Sequence, residues 1–143
     1  MKDIPVPDVR NLAIMGHTGS GKTTLADALL FKLGLNDRQG SVTAGSSMAD
    51  YLDEEKARKI TIFAKPFGGV YKNGAGRDGA LVFVDTPGYM DFFGQVIAAG
   101  RAVDSALIAV DAVARVQVGT RRAWKHCVAR GLPRAIVITG FDR

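Results

Sequence analysis

With a single cysteine, Cys127, the chain has no internal disulfide, and a reducing compartment, the cytoplasm, is its expected home. Cys127 falls on the apolar side of a predicted helix, where a buried structural thiol is expected rather than a nucleophile. Long apolar runs are missing too. None approaches the ~20 residues that a bilayer-spanning helix requires, and the first ten residues, MKDIPVPDVR, lack the apolar core of a signal peptide. No membrane partner is therefore expected. Acidic residues are outnumbered, 14 against 19 Lys and Arg, for a net charge of +5. The deficit is local: residues 115–143 carry Arg115, Arg121, Arg122, Lys125, Arg130, Arg134 and Arg143 against the single acid Asp142. Such a skew marks either a surface for nucleic acid or another polyanion, or one solvated helix face. Aromatic residues make up only 8% and do not interleave with these charges as a single-strand binding surface would want. The solvated face is the expected reading.

Glycine, by contrast, is plentiful, and its densest use follows an apolar run at 12–15. Gly16, His17, Thr18, Gly19, Ser20, Gly21, Lys22 and Thr23 fit G-x-x-x-x-G-K-[ST], with helix formers from Thr24 onward. The order strand, glycine-rich loop, helix is the context this motif requires. The glycines free the backbone to aim successive N–H groups into one concavity. The helix N-terminus adds its partial positive charge. Lys22 can reach terminal phosphates and the Thr23 hydroxyl can join a magnesium shell. The alternative is a glycine-rich turn that binds nothing; the flanking strand and helix favour a nucleotide.

Taken in order, a chain of 143 residues at 47% hydrophobic and 23% charged suits one domain with a real core. Residues 1–9, with Pro5 and Pro7, read as an extended leader. Leu25, Ala28, Leu29 and Leu33 recur at helical spacing up to Gly34. A polar, glycine- and serine-rich loop is expected over 36–47. A short surface helix is expected to start at Ser47, with Glu54/Arg58 and Glu55/Lys59 as i,i+4 pairs. The β-rich run 60–64 is interrupted by Pro66, Gly68 and Gly69, so this should be an edge strand. After a turn at 73–79 comes a buried strand at 80–84, ending in Asp85-Thr86-Pro87-Gly88. A second buried strand is expected at 105–110 and an apolar strand at 135–139. Between them, residues 115–130 read as an amphipathic helix. Val116, Thr120, Ala123, Trp124, Cys127 and Val128 should share its inner face, with the basic residues and His126 on the other. Alternating strands and helices argue for an α/β fold with ligand at the carboxyl ends of a parallel sheet.

Asp85, at the end of a buried strand, is the expected partner for magnesium; the competing reading is a turn-initiating Asp. Gly88 offers an unobstructed backbone N–H to a terminal phosphate. The Thr61 hydroxyl can reach the same magnesium, although alone it is an ordinary β-branched strand residue.

Four stretches, GHTGSGKTT, MADYLDEEKARKIT, DTPGYMDF and LPRAIVITGFDR, together resemble the translational GTPases, elongation factor G and its paralogues above all. The likeness runs from about residue 10 to the C-terminus. It implies a P-loop NTPase fold of three layers, with a mostly parallel sheet and one antiparallel edge strand. It further implies GTP or GDP with Mg2+ as ligands, and the ribosome, its RNA and proteins, as partner of the full-length factor. By this resemblance residues 16–24, Thr24 included, are the phosphate loop. Thr61 is the first-switch threonine on magnesium, Asp85 and Gly88 belong to the second switch, and Asp142 reads guanine. Lys22, Thr61, Gly88 and Tyr89 would carry hydrolysis.

Three departures stand out. Tyr89 replaces a histidine that orients the attacking water, Gly19 replaces an Asp, and Thr139-Gly140-Phe141-Asp142 stands where Asn-Lys-x-Asp is usual. The expectation is a leader at 1–9 and a partial, monomeric GTP-binding domain at 10–143, C-terminally truncated before its last strand and helix. Its hydrolysis should be slow. A ribosome-binding switch with little hydrolysis, or a P-loop NTPase of relaxed base specificity, are the alternatives.

Overall fold

The computed structural model describes residues 4–142, so residues 1–3 of the expected leader and Arg143 of the basic run lie outside the described residues. The first strand, β1 (Val9–Gly16), runs through the middle of a five-stranded sheet of order β2-β3-β1-β4-β5. Its neighbours β3 (Asp78–Asp85) and β4 (Ser105–Asp111) are parallel to it, and β5 (Arg134–Thr139) is parallel to β4. Only β2 (Lys65–Lys72) is antiparallel, on the outer side of β3. The expected mixed sheet with one antiparallel edge is what the chain forms.

Alternation along β1 explains the layers. Ala13 and Met15 join one apolar cluster, Ile14 joins the other with Leu12 packed against it, because successive strand side chains face opposite ways. Helix α1 (Lys22–Lys32) covers the second cluster with Ala26 and Leu30. Phe83 is fully buried in that cluster, its ring centroid 5.6 Å from that of Phe67; burying such a side chain contributes on the order of 2–3 kcal/mol. Helices α3 (Phe93–Ala102) and α4 (Val118–Ala129) cover the first cluster with Phe93, Val96, Ala99, Ala123 and Cys127. Cys127 is buried and free, as expected. Among the described residues no helix is long and apolar enough to cross a membrane.

Several local expectations need correction. The leader is not extended throughout, since Val6–Asp8 form a 3-10 turn closed by the Asp8 amide on the Pro5 carbonyl. The edge strand is β2, beginning at Lys65, not the run 60–64. Pro66 lies within it, opposite Val84, tolerated because β2 has a partner on one side only. The short helix α2 (Asp53–Arg58) starts six residues after Ser47. Ser47 instead caps a turn, accepting the amides of Ala49 and Asp50. Glu55 does not pair with Lys59 but is fully buried against Lys65.

On α4 the buried residues are Gly119, Thr120, Ala123 and Cys127, while Val116, Trp124 and Val128 stay exposed. His126 leaves the basic face and turns to α3, with its ring edge-on to Phe93. Aromatic rings do meet the basic run: Arg134 stacks 4.3 Å from Trp124 and Arg122 4.2 Å from Phe93. Helix α3 had no sequence expectation at all.

Candidate functional site

The segments that follow the carboxyl ends of β1, β3 and β5 line a pocket of about 650 Å3 at the loop between β1 and α1. Gly16, Gly19 and Gly21 all take positive φ, 146°, 73° and 74°. The loop thus has the backbone the motif demands. Lys22 is 5% exposed and its Nζ donates to the His17 carbonyl at 2.7 Å. Burial lowers its ammonium to about 8, although the carboxylates of Asp85 and Asp50 pull it back up.

Thr23 is the hub. Its hydroxyl lies 2.8 Å from the Thr61 hydroxyl and donates to Asp85 Oδ2 at 3.0 Å. Residues 38 and 62 positions apart in sequence therefore converge on one helix N-terminus. Asp85 is fully buried, and its Oδ1 has no hydrogen-bond partner. Burial raises its carboxyl to about 7, against the opposing pull of Lys22 and Thr23. The following turn is fixed by Thr86, whose hydroxyl donates 2.6 Å to the Ile14 carbonyl on β1. Gly88 then passes so close to the loop that a Cβ there would lie 2.5 Å from Lys22 Nζ and 2.6 Å from Thr18 Cα and N. Backbone cannot retreat, so only glycine fits.

An unpaired buried carboxylate oxygen beside two hydroxyls is a hard-oxygen donor set. It suits Mg2+, which takes one or two protein oxygens and keeps waters and phosphate oxygens for the rest. Among the described residues no three His, Cys, Asp or Glu side chains form a metal cage.

Thr18, Gly19, Gly21, Lys22, Thr23 and Thr24 line the pocket, as do Thr61, Gly88, Tyr89, Thr139 and Asp142. Gly16, His17 and Ser20 do not. His17 points its ring the other way, accepting the Gly119 amide on Nδ1 at 3.3 Å. Tyr89 stands at the rim, 41% exposed.

At the far end the pocket is lighter. The Thr139 hydroxyl lies 3.0 Å from the Ser20 carbonyl and 3.3 Å from that of Val110, so it ties β5 to the phosphate loop. Gly140 has φ 71°, a conformation unfavourable to any side-chain residue. Asp142 and Phe141 are exposed.

Sequence reasoning missed a buried ionic cluster beneath Thr61. Lys65 Nζ lies 2.5 Å from Glu55 Oε2 and 3.4 Å from Asp50 Oδ1, with all three side chains at most 4% exposed. Burial raises the Asp50 carboxyl, opposed by a Thr61 hydrogen bond and the Lys65 charge. For Glu55 burial acts upward too, but hydrogen bonds from Lys65, Ile62 and Phe63 outweigh it and hold the carboxyl below its ordinary range. Asp27 was missed as well. Buried on α1, its Oδ1 accepts the Met48 amide at 2.9 Å and so ties the 36–49 loop to the helix. The one available signal for the ionic cluster was Lys65 at the start of β2, just after an apolar run.

The sequence profile of the elongation factor Tu GTP binding domain matches residues 7–143. A mitochondrial ribosome-releasing factor 2 of Lodderomyces elongisporus is 36% identical over 143 residues, all of this chain but 17% of that protein. An elongation factor G-like protein of Mycobacterium tuberculosis is 39% identical over 139 residues, covering 94% of this chain and 18% of its own length. A crystal structure of a Thermus thermophilus protein superposes with TM-score 0.85 at 43% identity, over 93% of this chain and 19% of that one. The chain thus spans under a fifth of the length of these relatives.

Proposed function

The chain belongs to the elongation factor Tu GTP-binding domain family, and from that premise we propose that it is the GTP- and GDP-binding part of an elongation-factor-G-like factor that acts on the ribosome. The observation that carries the reading is the convergence of Thr23, Thr61 and the unpaired Asp85 Oδ1 beside Lys22. The names of the relatives, a ribosome-releasing factor and an elongation factor G-like protein, support the ribosome as partner.

In this reading the 16–24 backbone cradles the phosphates, Lys22 takes the terminal ones, and Thr23, Thr61 and Asp85 hold Mg2+, directly or through water. The bound cation would supply charge neutralisation on the phosphate oxygens. The shifts of Lys22 and Asp85 both run toward the neutral forms. Phosphate beside Lys22 and a divalent cation beside Asp85 push each back to its charged form. Hydrolysis is in-line attack of water on the γ-phosphorus with GDP leaving, and the Gly88 amide can donate to a γ-phosphate oxygen. Tyr89 stands where the family places the water-orienting histidine. A phenol hydroxyl is a poorer proton acceptor than a neutral imidazole nitrogen, so turnover should be slow. We place the factor in the cytoplasm; the Lodderomyces relative is mitochondrial by name.

The test is GTP hydrolysis by the full-length factor with and without ribosomes, repeated with Tyr89→His. A faster Tyr89→His variant supports the reading. Vigorous ribosome stimulation of the unaltered factor sinks the claim that Tyr89 is a handicap. A second reading, relaxed base choice, has Gly140 in its favour, because no aliphatic stem covers the base there. Equal competition of labelled GTP by ATP and GTP would establish it.

A further inference from the structure

We propose that Lys65 is a positioning residue for Thr61: a buried cation on the sheet edge that holds the 50–63 segment over the phosphate pocket by itself, before any ligand does. Lys65 opens β2 directly opposite Asp85 in the antiparallel register. Its Nζ meets Asp50, which precedes α2, and Glu55, which lies within it. The second oxygen of Glu55 accepts the amides of Ile62 and Phe63 at 2.9 and 3.3 Å, the two residues directly after Thr61. One ammonium thus ties both ends of the segment to the sheet. The Tyr51 ring, 5.2 Å from the same nitrogen, closes the cluster from the solvent side. Thr61 is left 7% exposed, with its hydroxyl 2.8 Å from Thr23.

The other end of the same strand provides a contrast. Lys72 and Asp78 sit 2.7 Å apart, but with 66% and 28% of their side chains exposed. Such a solvated pair holds little. A buried ammonium between two buried carboxylates is different, since removing it strands both acids away from water.

A ligand can shift a segment only by the difference between its two states. Where the terminal phosphate alone orders such a segment, order and nucleotide state are tightly linked. Here Lys65 supplies part of that order, so the segment should remain partly docked with GDP and without nucleotide. The proposal uses the reading of Thr61 given above, but its ligand-free arm does not depend on nucleotide binding.

Trypsin reports the docking directly, because Lys56, Arg58 and Lys59 lie within the segment. The 143-residue chain is digested without nucleotide, with Mg-GDP and with a non-hydrolysable GTP analogue, and its melting temperature is recorded in parallel. Lys65→Met should speed cleavage at these three sites by about tenfold or more in the ligand-free chain, the scale of a local opening made easier. The GTP analogue should restore most of the protection, and Lys65→Arg should cleave nearly as slowly as the parent. Mg2+ dependence of nucleotide release should steepen in Lys65→Met. Unchanged cleavage overturns the proposal. So does faster cleavage at all sites alike in step with a lower melting temperature. If Lys65→Met does not fold, the Glu55→Gln/Lys65→Met pair carries the same test: fast cleavage in that folded chain supports the clamp, and slow cleavage overturns it. Accelerated cleavage in a chain that binds no guanine nucleotide would instead sink the nucleotide reading and leave the clamp standing.

Discussion

The two ends of the pocket are built by different means. At the expected phosphate end the groups are mostly buried or half-buried and braced by neighbours: Lys22 on a carbonyl, Thr23 on Thr61 and Asp85, Gly88 pressed against Thr18. At the base end one hydroxyl, that of Thr139, anchors the turn, and Asp142 and Phe141 stand in solvent. Charge that must neutralise a polyphosphate works best in a dry, preorganised setting. Hydrogen-bond readout of a base by an exposed carboxylate is weaker and depends on what else covers the base. The lesson is that the expected phosphate contacts rest on the packed sheet, whereas the expected base contacts rest on a few edge residues.

Breaking the strong end should have the largest effect. Gly88→Ala puts a methyl into the backbone of Thr18 and against Lys22, and displacing the loop by even an ångström should weaken fluorescent-GDP binding by about a hundredfold or more. Circular dichroism distinguishes this from unfolding; retained affinity would show that the close approach is not needed. Asp142→Ala tests the weak end. It should reduce the preference for GTP over ATP by about tenfold, the scale of a lost hydrogen bond to a charged group, while leaving pyrophosphate competition unchanged. Equal losses from the two substitutions would erase the contrast.

The smallest effect lies outside both ends. Burial, with Arg130 and Arg101 nearby, lowers the His126 imidazole below its ordinary range. The folded chain then binds fewer protons at this site than the unfolded one, so stability should be lost as the pH falls from about 6.5. The drop in urea midpoint between about pH 7.5 and 5.5, a window that brackets the ordinary imidazole value, should shrink slightly in His126→Gln. An unchanged drop would reject the role of this group.

Much of the site was legible because its signals are local. The eight residues from Gly16 to Thr23 carry their own loop conformation, and Asp85 ends an apolar run that can only be a buried strand. Thr61 was legible through resemblance alone, since a threonine in a β-rich run announces nothing. Helix α3 escaped notice because Gly94 and Gly100 are poor helix formers. Packing overrides that propensity: Gly100 is where His126 Nε2 comes within 2.7 Å of a would-be Cβ. The inner face of α4 was misjudged for a related reason. Small residues, Gly119, Thr120 and Ala123, let the helix approach the sheet, and the larger Trp124 and Val128 were left outside.

The order of strand, loop and helix, the α/β class and the glycine-rich loop backbone were determined by sequence alone, because each follows from backbone freedom and apolar periodicity over a few neighbouring residues; the antiparallel edge was legible only through the family resemblance. Which carboxylate meets which cation was decided only in three dimensions. Glu55 had a cation four residues along at Lys59 but found Lys65, because the antiparallel register of β2 on β3 delivers that ammonium into a dry interior where an unpaired acid would not be tolerated.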